Sequence, residues 1–147
     1  MIKKTVHAPQ VLCEAYDYDK PVPFSRGMRL DIRGVSIMML SGTASVDERG
    51  QTVNVGDLRA QTQRMFHNVT ELLKTEGFQW HDVVHTRLYL RDIDRNYQEL
   101  AEERIEFFKQ QNLERLPAST CVEARLCRPE LLVEIEVLCV RDSKESG

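Results

Sequence analysis

Residues 117–140, PASTCVEARLCRPELLVEIEVLCV, alternate between apolar and polar side chains over most of their length. A helix cannot bury such a pattern, because its faces repeat about every 3.6 residues while those of a strand repeat every second one. The stretch therefore predicts two strands joined by a short turn around Arg128, Pro129 and Glu130. On the first, Thr120, Val122, Ala124 and Leu126 share a face, with Cys121, Glu123 and Arg125 opposite. On the second, Val133, Ile135 and Val137 face one way and Glu134 and Glu136 the other. Two adjacent strands of this kind offer an apolar side and a side with three carboxylates and a guanidinium. The charged side is either solvated or lines a wet pocket.

The chain has 147 residues, 41% of them apolar, enough for the core of a single domain spanning 1–147. A net charge of −3 with both signs mixed along the chain argues against nucleic acid, which selects a concentrated basic patch. No stretch approaches the roughly 20 apolar residues of a membrane span, and the N-terminus lacks an apolar signal run. A cytoplasmic protein is expected. Cys13, Cys121, Cys127 and Cys139 form no C-x-x-C pair, and no Cys/His cluster has zinc spacing. Reduced thiols are expected, buried at 121, 127 and 139, with no metal. His81 and His85 are four apart, but at a strand entry, where that spacing does not gather ligands.

Residues 2–6 predict an edge strand, and residues 14–27, broken by Pro21, Pro23 and Gly27, an irregular loop. In residues 28–33 strict alternation suggests Met28, Leu30 and Ile32 on the core side. Residues 35–41 read as a central strand. Asp57 is placed to cap a first helix with Leu58, Met65, Val69, Leu72 and Leu73 as its stripe, and Gly77 to end it. Residues 82–91 return to period two, with Val84, Thr86, Leu88 and Leu90 opposite His85, Arg87, Tyr89 and Arg91. Asp92 or Asp94 caps a second helix, whose stripe is Tyr97, Leu100, Ala101, Ile105 and Phe108. The order β-β, helix, β, helix, β-β predicts a two-layer α+β domain, two helices covering one face of a mixed sheet.

The polar sheet face collects His85, Arg87, Tyr89, Arg91, Cys121, Glu123, Arg125, Glu134 and Glu136. Mixed charge with Tyr and Cys suits a subunit interface containing pockets as well as it suits open solvent. Several runs resolve the choice. Leu40-Ser41-Gly42-Thr43, the helix through Asn68, Gly77 followed by Asp82-Val83-Val84, Tyr89 to Asp92, Pro117, Cys121-Val122-Glu123 and Val133 to Glu136 together resemble the RidA/YjgF family. The likeness lies in their order and spacing and runs from about residue 23 to 140.

The resemblance implies a chorismate-mutase-like fold and a homotrimer with a central β-barrel and three inter-subunit clefts. It implies hydrolysis of reactive enamines and imines to a keto acid and ammonia, with no cofactor or metal. Carried over by position, Glu134 orients the attacking water. Phe24 stands at the family's pocket tyrosine and covers the apolar part of the substrate. Ser41 and Ser119 bind its polar end, and the Cys121 backbone N–H meets its carboxylate. The departure is Ser119, where deaminating members carry an arginine that holds the carboxylate. Losing a charged partner of that kind costs about 2–5 kcal/mol. Arg87 and Arg26 are candidates for a relocated anchor, against the alternative that each forms an interface salt bridge with a glutamate such as Glu123. The family's helix asparagine is replaced by Ala101.

Three other readings stay open. Ser41 to Ser45 resembles the S-G-T-A-S run of chorismatases, and 2-aminomuconate deaminases are also similar; either implies a polycarboxylate substrate. A non-catalytic metabolite-binding trimer belongs to a different class. Ribonuclease activity ranks last, for want of a basic groove or a histidine pair in a cleft.

Overall fold

The structure is a computed structural model describing residues 1–143. One six-stranded sheet contains β1 (Ile2–Val6), β2 (Gly27–Ile32), β3 (Val35–Ala44), β4 (Val83–Leu90), β5 (Ala118–Glu123) and β6 (Val133–Asp142), in the order β1-β2-β3-β6-β4-β5. Helices α1 (Leu58–Thr75) and α2 (Ile93–Gln110) cover one face. The α+β, chorismate-mutase-like architecture expected from the sequence is observed.

Local chemistry accounts for both helices. The Asp57 carboxylate accepts from the Ala60 N–H at 3.0 Å and so caps α1. Leu58, Met65, Val69, Leu72 and Leu73 are all buried. Gly77 follows the helix at φ +70°, a conformation that favours glycine. Asp92 precedes α2, but its side chain caps nothing; the free Ile93 N–H donates instead to Glu123 Oε2 at 2.9 Å. An aromatic cluster locks the helices together. Phe66 of α1 stacks on Phe107 of α2 with centroids 4.2 Å apart, and Trp80 meets both rings edge-on. The Trp80 indole N–H donates to Thr70 Oγ1 at 2.9 Å.

The predicted hairpin of β5 and β6 does not form, because β4 lies between them. Strand β5 pairs in parallel with β4 across α2, and β6 runs antiparallel to both β3 and β4. Sequence adjacency suggested a tight turn, but residues 124–132 span the gap as a loop. Cys127 lies in this loop and is exposed, against the expectation of burial. Cys139 is buried, and its thiol is pushed up to about 12 by loss of solvent.

Two strands also present the opposite faces from those expected. In β2, Gly27, Arg29 and Asp31 pair with Leu40, Met38 and Ser36 on the helix side. Arg29 is drawn there by Glu76 beyond the end of α1, at 3.1 Å, and lies over the Phe78 ring. Met28, Leu30 and Ile32 consequently join Met39, Ile37 and Val35 on the open face. In β5, Ser119, Cys121 and Glu123 align with Thr86, Leu88 and Leu90 and face α2, leaving Thr120 and Val122 beside Arg87 and Tyr89. The open face is thus apolar across β2, β3 and the Leu138 and Val140 end of β6, and charged at Glu134 and Glu136 of β6 and across β4. Val84 is exposed, since the register with β6 shifts between Val83 and His85.

Buried Asn68 on α1 holds the end of β3. Its Nδ2 donates to Ala44 O at 3.0 Å and Val46 O at 2.9 Å. Asn68→Leu would strand both carbonyls, at about 1–3 kcal/mol each. We expect a loss of about 2–5 kcal/mol in urea unfolding, with an unchanged denaturant slope.

Candidate functional site

The register between β3 and β6 shifts between Leu40 and Thr43. Such bulges re-aim side chains and recur beside functional sites. Here Ser41 and Gly42 border a cavity of about 940 Å3, with Phe24, Arg26, Arg128 and Glu134 among its walls. Loop 14–26 forms its lid side. Ser41 Oγ donates to Ser25 O at 2.6 Å, and the Ser41 N–H to Arg26 O at 2.9 Å, tying the loop to the strand. Thr43 Oγ1 returns a bond to Ser41 O at 2.8 Å.

Glu134 leaves β6 on the open face and enters this cavity beside Gly42. A Cβ at position 42 would lie 2.9 Å from Glu134 Cδ, so the carboxylate occupies space that only glycine leaves. Burial, reinforced by the like charge of Glu136 and opposed by Arg26, raises the Glu134 carboxyl above its ordinary range. Among the described residues no side chain or amide donates a hydrogen bond to it, so its oxygens are available to water or substrate.

Arg26 is a buried wall of the cavity, 3% exposed. Its Nε donates to Cys13 O at 2.9 Å, another nitrogen donates to the Tyr18 hydroxyl, and the guanidinium lies 5.3 Å from the Tyr18 ring centroid and 5.5 Å from that of Phe24. Arg128 covers Tyr18 at 5.0 Å and donates to Thr52 Oγ1 at 3.1 Å. Both cations are anchored, and both make the cavity receptive to anions.

Phe24, Arg26, Ser41 and Glu134 are therefore brought together as the sequence suggested. Arg87, Ser119 and Cys121 are not. Arg87 sits on the open face 3.9 Å from Glu136, which also accepts from the Tyr89 hydroxyl. The contact is a salt bridge within the chain, to Glu136 and not to Glu123. Ser119 and Cys121 lie two strands from Glu134, on the opposite side of the sheet. There Ser119 Oγ accepts from Arg104 of α2 at 2.8 Å, and burial raises the Cys121 thiol. Sequence reasoning missed Arg104, Arg128 and the steric role of Gly42. Arg104 had a signal: it interrupts an apolar stripe at the spacing 97, 101, 104, 108.

Glu136 offers a check on the electrostatics. Glu136→Gln removes the like charge facing Glu134, so the Glu134 titration should move to lower pH, as read by NMR of the labelled carboxyl.

Comparison with known proteins accords with this geometry. The family described as Endoribonuclease L-PSP matches residues 19–141. The 3-aminoacrylate deaminase RutC of Acinetobacter baylyi is 31% identical over 100 residues, 68% of this chain and 75% of that protein. The solved structure of E. coli TdcF with bound serine superposes with a TM-score of 0.77 at 20% identity, covering 95% of this chain and 99% of the other. The YjgF gene product of E. coli gives 0.75 at 24%, covering 94% and 98%. Among the described residues no helix is long and apolar enough to cross a membrane. With the sheet order, the bulged Ser41-Gly42 step and Glu134 all in place, the chain belongs to the RidA/YjgF family.

Proposed function

We propose that the protein is a cytoplasmic homotrimer that hydrolyses the C=N bond of a small enamine- or imine-derived carboxylate in clefts between its subunits. The observation that carries the chemistry is Glu134, a carboxylate without a donor, raised in pKa, inside a cavity. Raising a carboxyl's pKa makes its carboxylate a stronger base, better suited to taking a proton from water and returning it. Glu134 accepts a proton from water as the oxygen bonds to the imine carbon and the C=N electron pair goes to nitrogen. The protonated Glu134 then passes that proton to nitrogen. Glu134 then takes the hydroxyl proton of the tetrahedral intermediate and delivers it to the amino nitrogen as the O–H electron pair forms the carbonyl and the C–N bond breaks, so that ammonia leaves. Ser41 shapes the cavity rim through Ser25, and Phe24 covers the apolar part of the substrate.

Assembly is supported by the open sheet face, where Leu30, Ile37, Met39, Leu138 and Val140 form a contiguous apolar region that a sister subunit would bury. It would also bring the β5–α2 edge of one subunit towards the Glu134 cavity of another, uniting Ser119 and Cys121 with it. The 3-aminoacrylate deaminase activity of RutC supports the reaction class, and the serine bound to TdcF supports a carboxylate-bearing ligand.

An amino-acid oxidase that releases an imine, with semicarbazide as the trap, provides the test. The protein should lower semicarbazone formation in proportion to its concentration. Unchanged trapping would exclude imine hydrolysis, and a monomer in light scattering would remove the clefts. A metabolite-binding trimer without turnover is the second reading, favoured by Ser119 standing where deaminating members carry an arginine.

A further inference from the structure

Helix α2 packs Leu100 and Phe108 against the core but leaves Tyr97 and Ile105 largely in solvent. A groove of about 720 Å3 runs between this side of α2 and the segment entering β5, with Ala101, Ile105, Phe108, Leu113 and Leu116 as apolar walls. Arg104 projects into it, partly buried. One of its nitrogens donates to Ser119 Oγ, a neutral partner that cancels no charge. The acids nearest along the helix are engaged elsewhere: Glu99, Glu102 and Glu103 all face Arg59 of α1, and Glu106 accepts from Gln110 one turn on. Among the described residues no carboxylate lies within ion-pairing distance of Arg104. Burial pushes its guanidinium below the usual range, offset in part by the Cys121 thiol and the Tyr97 hydroxyl. Lys109 adds a second cation to the groove.

A partly desolvated guanidinium without a counter-charge, among apolar walls, is costly by itself and matched to an incoming anion. Arg87 differs, being paired with Glu136, and Arg26, whose partners are neutral too, has its nitrogens tied to Cys13 O and the Tyr18 hydroxyl and its plane set against the Tyr18 and Phe24 rings. We propose that Arg104, steadied by Ser119, anchors the carboxylate of a small acid whose apolar body lies in the α2–β5 groove. This deepens the hydrolase reading, on which its role in catalysis rests, by naming the group that holds the substrate's acid end. A single planar fork between apolar walls fits a monocarboxylate better than a multiply charged phosphate, which would demand more donors.

Calorimetric titration of the full-length protein with sodium butyrate tests this. The wild type should bind butyrate and ignore butyramide, and inorganic phosphate should bind at least tenfold more weakly than butyrate. Arg104→Gln should weaken butyrate at least tenfold with an unchanged melting temperature. Arg104→Ser combined with Ser119→Arg should restore most of the affinity by returning a guanidinium to the same place from the strand, which guards against a folding artefact. Glu134→Gln should keep butyrate binding while losing turnover. Equal affinity in Arg104→Gln, no butyrate binding at all, or butyramide or phosphate binding as tightly as butyrate would each overturn the proposal. Loss of butyrate binding in Arg104→Gln, in a protein that fails the imine-trapping assay, would remove the hydrolase and leave the anchor. Unchanged binding in that variant of an active enzyme would do the reverse.

Discussion

Glu134→Gln should reduce turnover by about two to four orders of magnitude, the range expected when a positioned proton acceptor is lost. It should also stabilise the protein. The Glu134 carboxyl titrates higher in the folded chain than in the unfolded one. The folded state therefore holds its proton more tightly, and stability falls as pH rises from the unfolded value through the folded one. Above the folded value that cost is fully present, and the neutral amide removes it. Melting temperatures should favour the variant near pH 7, and the advantage should fade in acid, below the ordinary glutamate range. In the wild type, kcat/KM should fall on the acid side with an apparent pKa above that of an ordinary glutamate. A variant that turns over normally would exclude Glu134 as the base. A variant no more stable at pH 7 than at pH 4 would show that the carboxylate is not strained by its surroundings.

Gly42→Ala should be the most damaging single methyl group in the molecule for activity. The added Cβ would fall 2.9 Å from Glu134 Cδ, closer than such atoms approach. Its neighbour is the end of a flexible side chain, so the fold should survive while the carboxylate swings away. A displacement of about 1 Å at a catalytic group can cost on the order of a hundredfold. We expect that loss in kcat with unfolding free energy changed by less than about 1 kcal/mol, within the range of tolerated substitutions. Shortening the acid should partly relieve the clash: Glu134→Asp in the Gly42→Ala background should be more active than the sum of the two single effects allows. Additive losses would show that the two positions do not touch.

The contrast between α1 and β2 shows what the amino-acid order could specify. Asp57, the Leu58 to Leu73 stripe and Gly77 act through neighbours a few residues away, and each was readable. Strand β6 was readable for the same reason, with Val133, Ile135 and Val137 buried and Glu134 pointing away. Period two separates the faces of a strand without saying which meets the helices. In β2 that was decided by Glu76, 47 residues from Arg29. The hairpin expectation failed likewise, since β4 enters between β5 and β6 through a crossover that no local turn signal reports. Family likeness pointed to Glu134, Ser41 and Phe24, which line one cavity, but it placed attention on position 119 itself. A guanidinium reaches Ser119 from a different element, that of Arg104 on α2, 15 residues earlier.

Trp80 is the only tryptophan in the sequence, and its ring touches Phe66 of one helix and Phe107 and Phe108 of the other. Its emission is therefore a single-site optical gauge of how firmly α2 sits on α1. Phe108 also walls the Arg104 groove. An acid entering there should change the indole signal without any added label, giving a stopped-flow readout of occupancy separate from product formation.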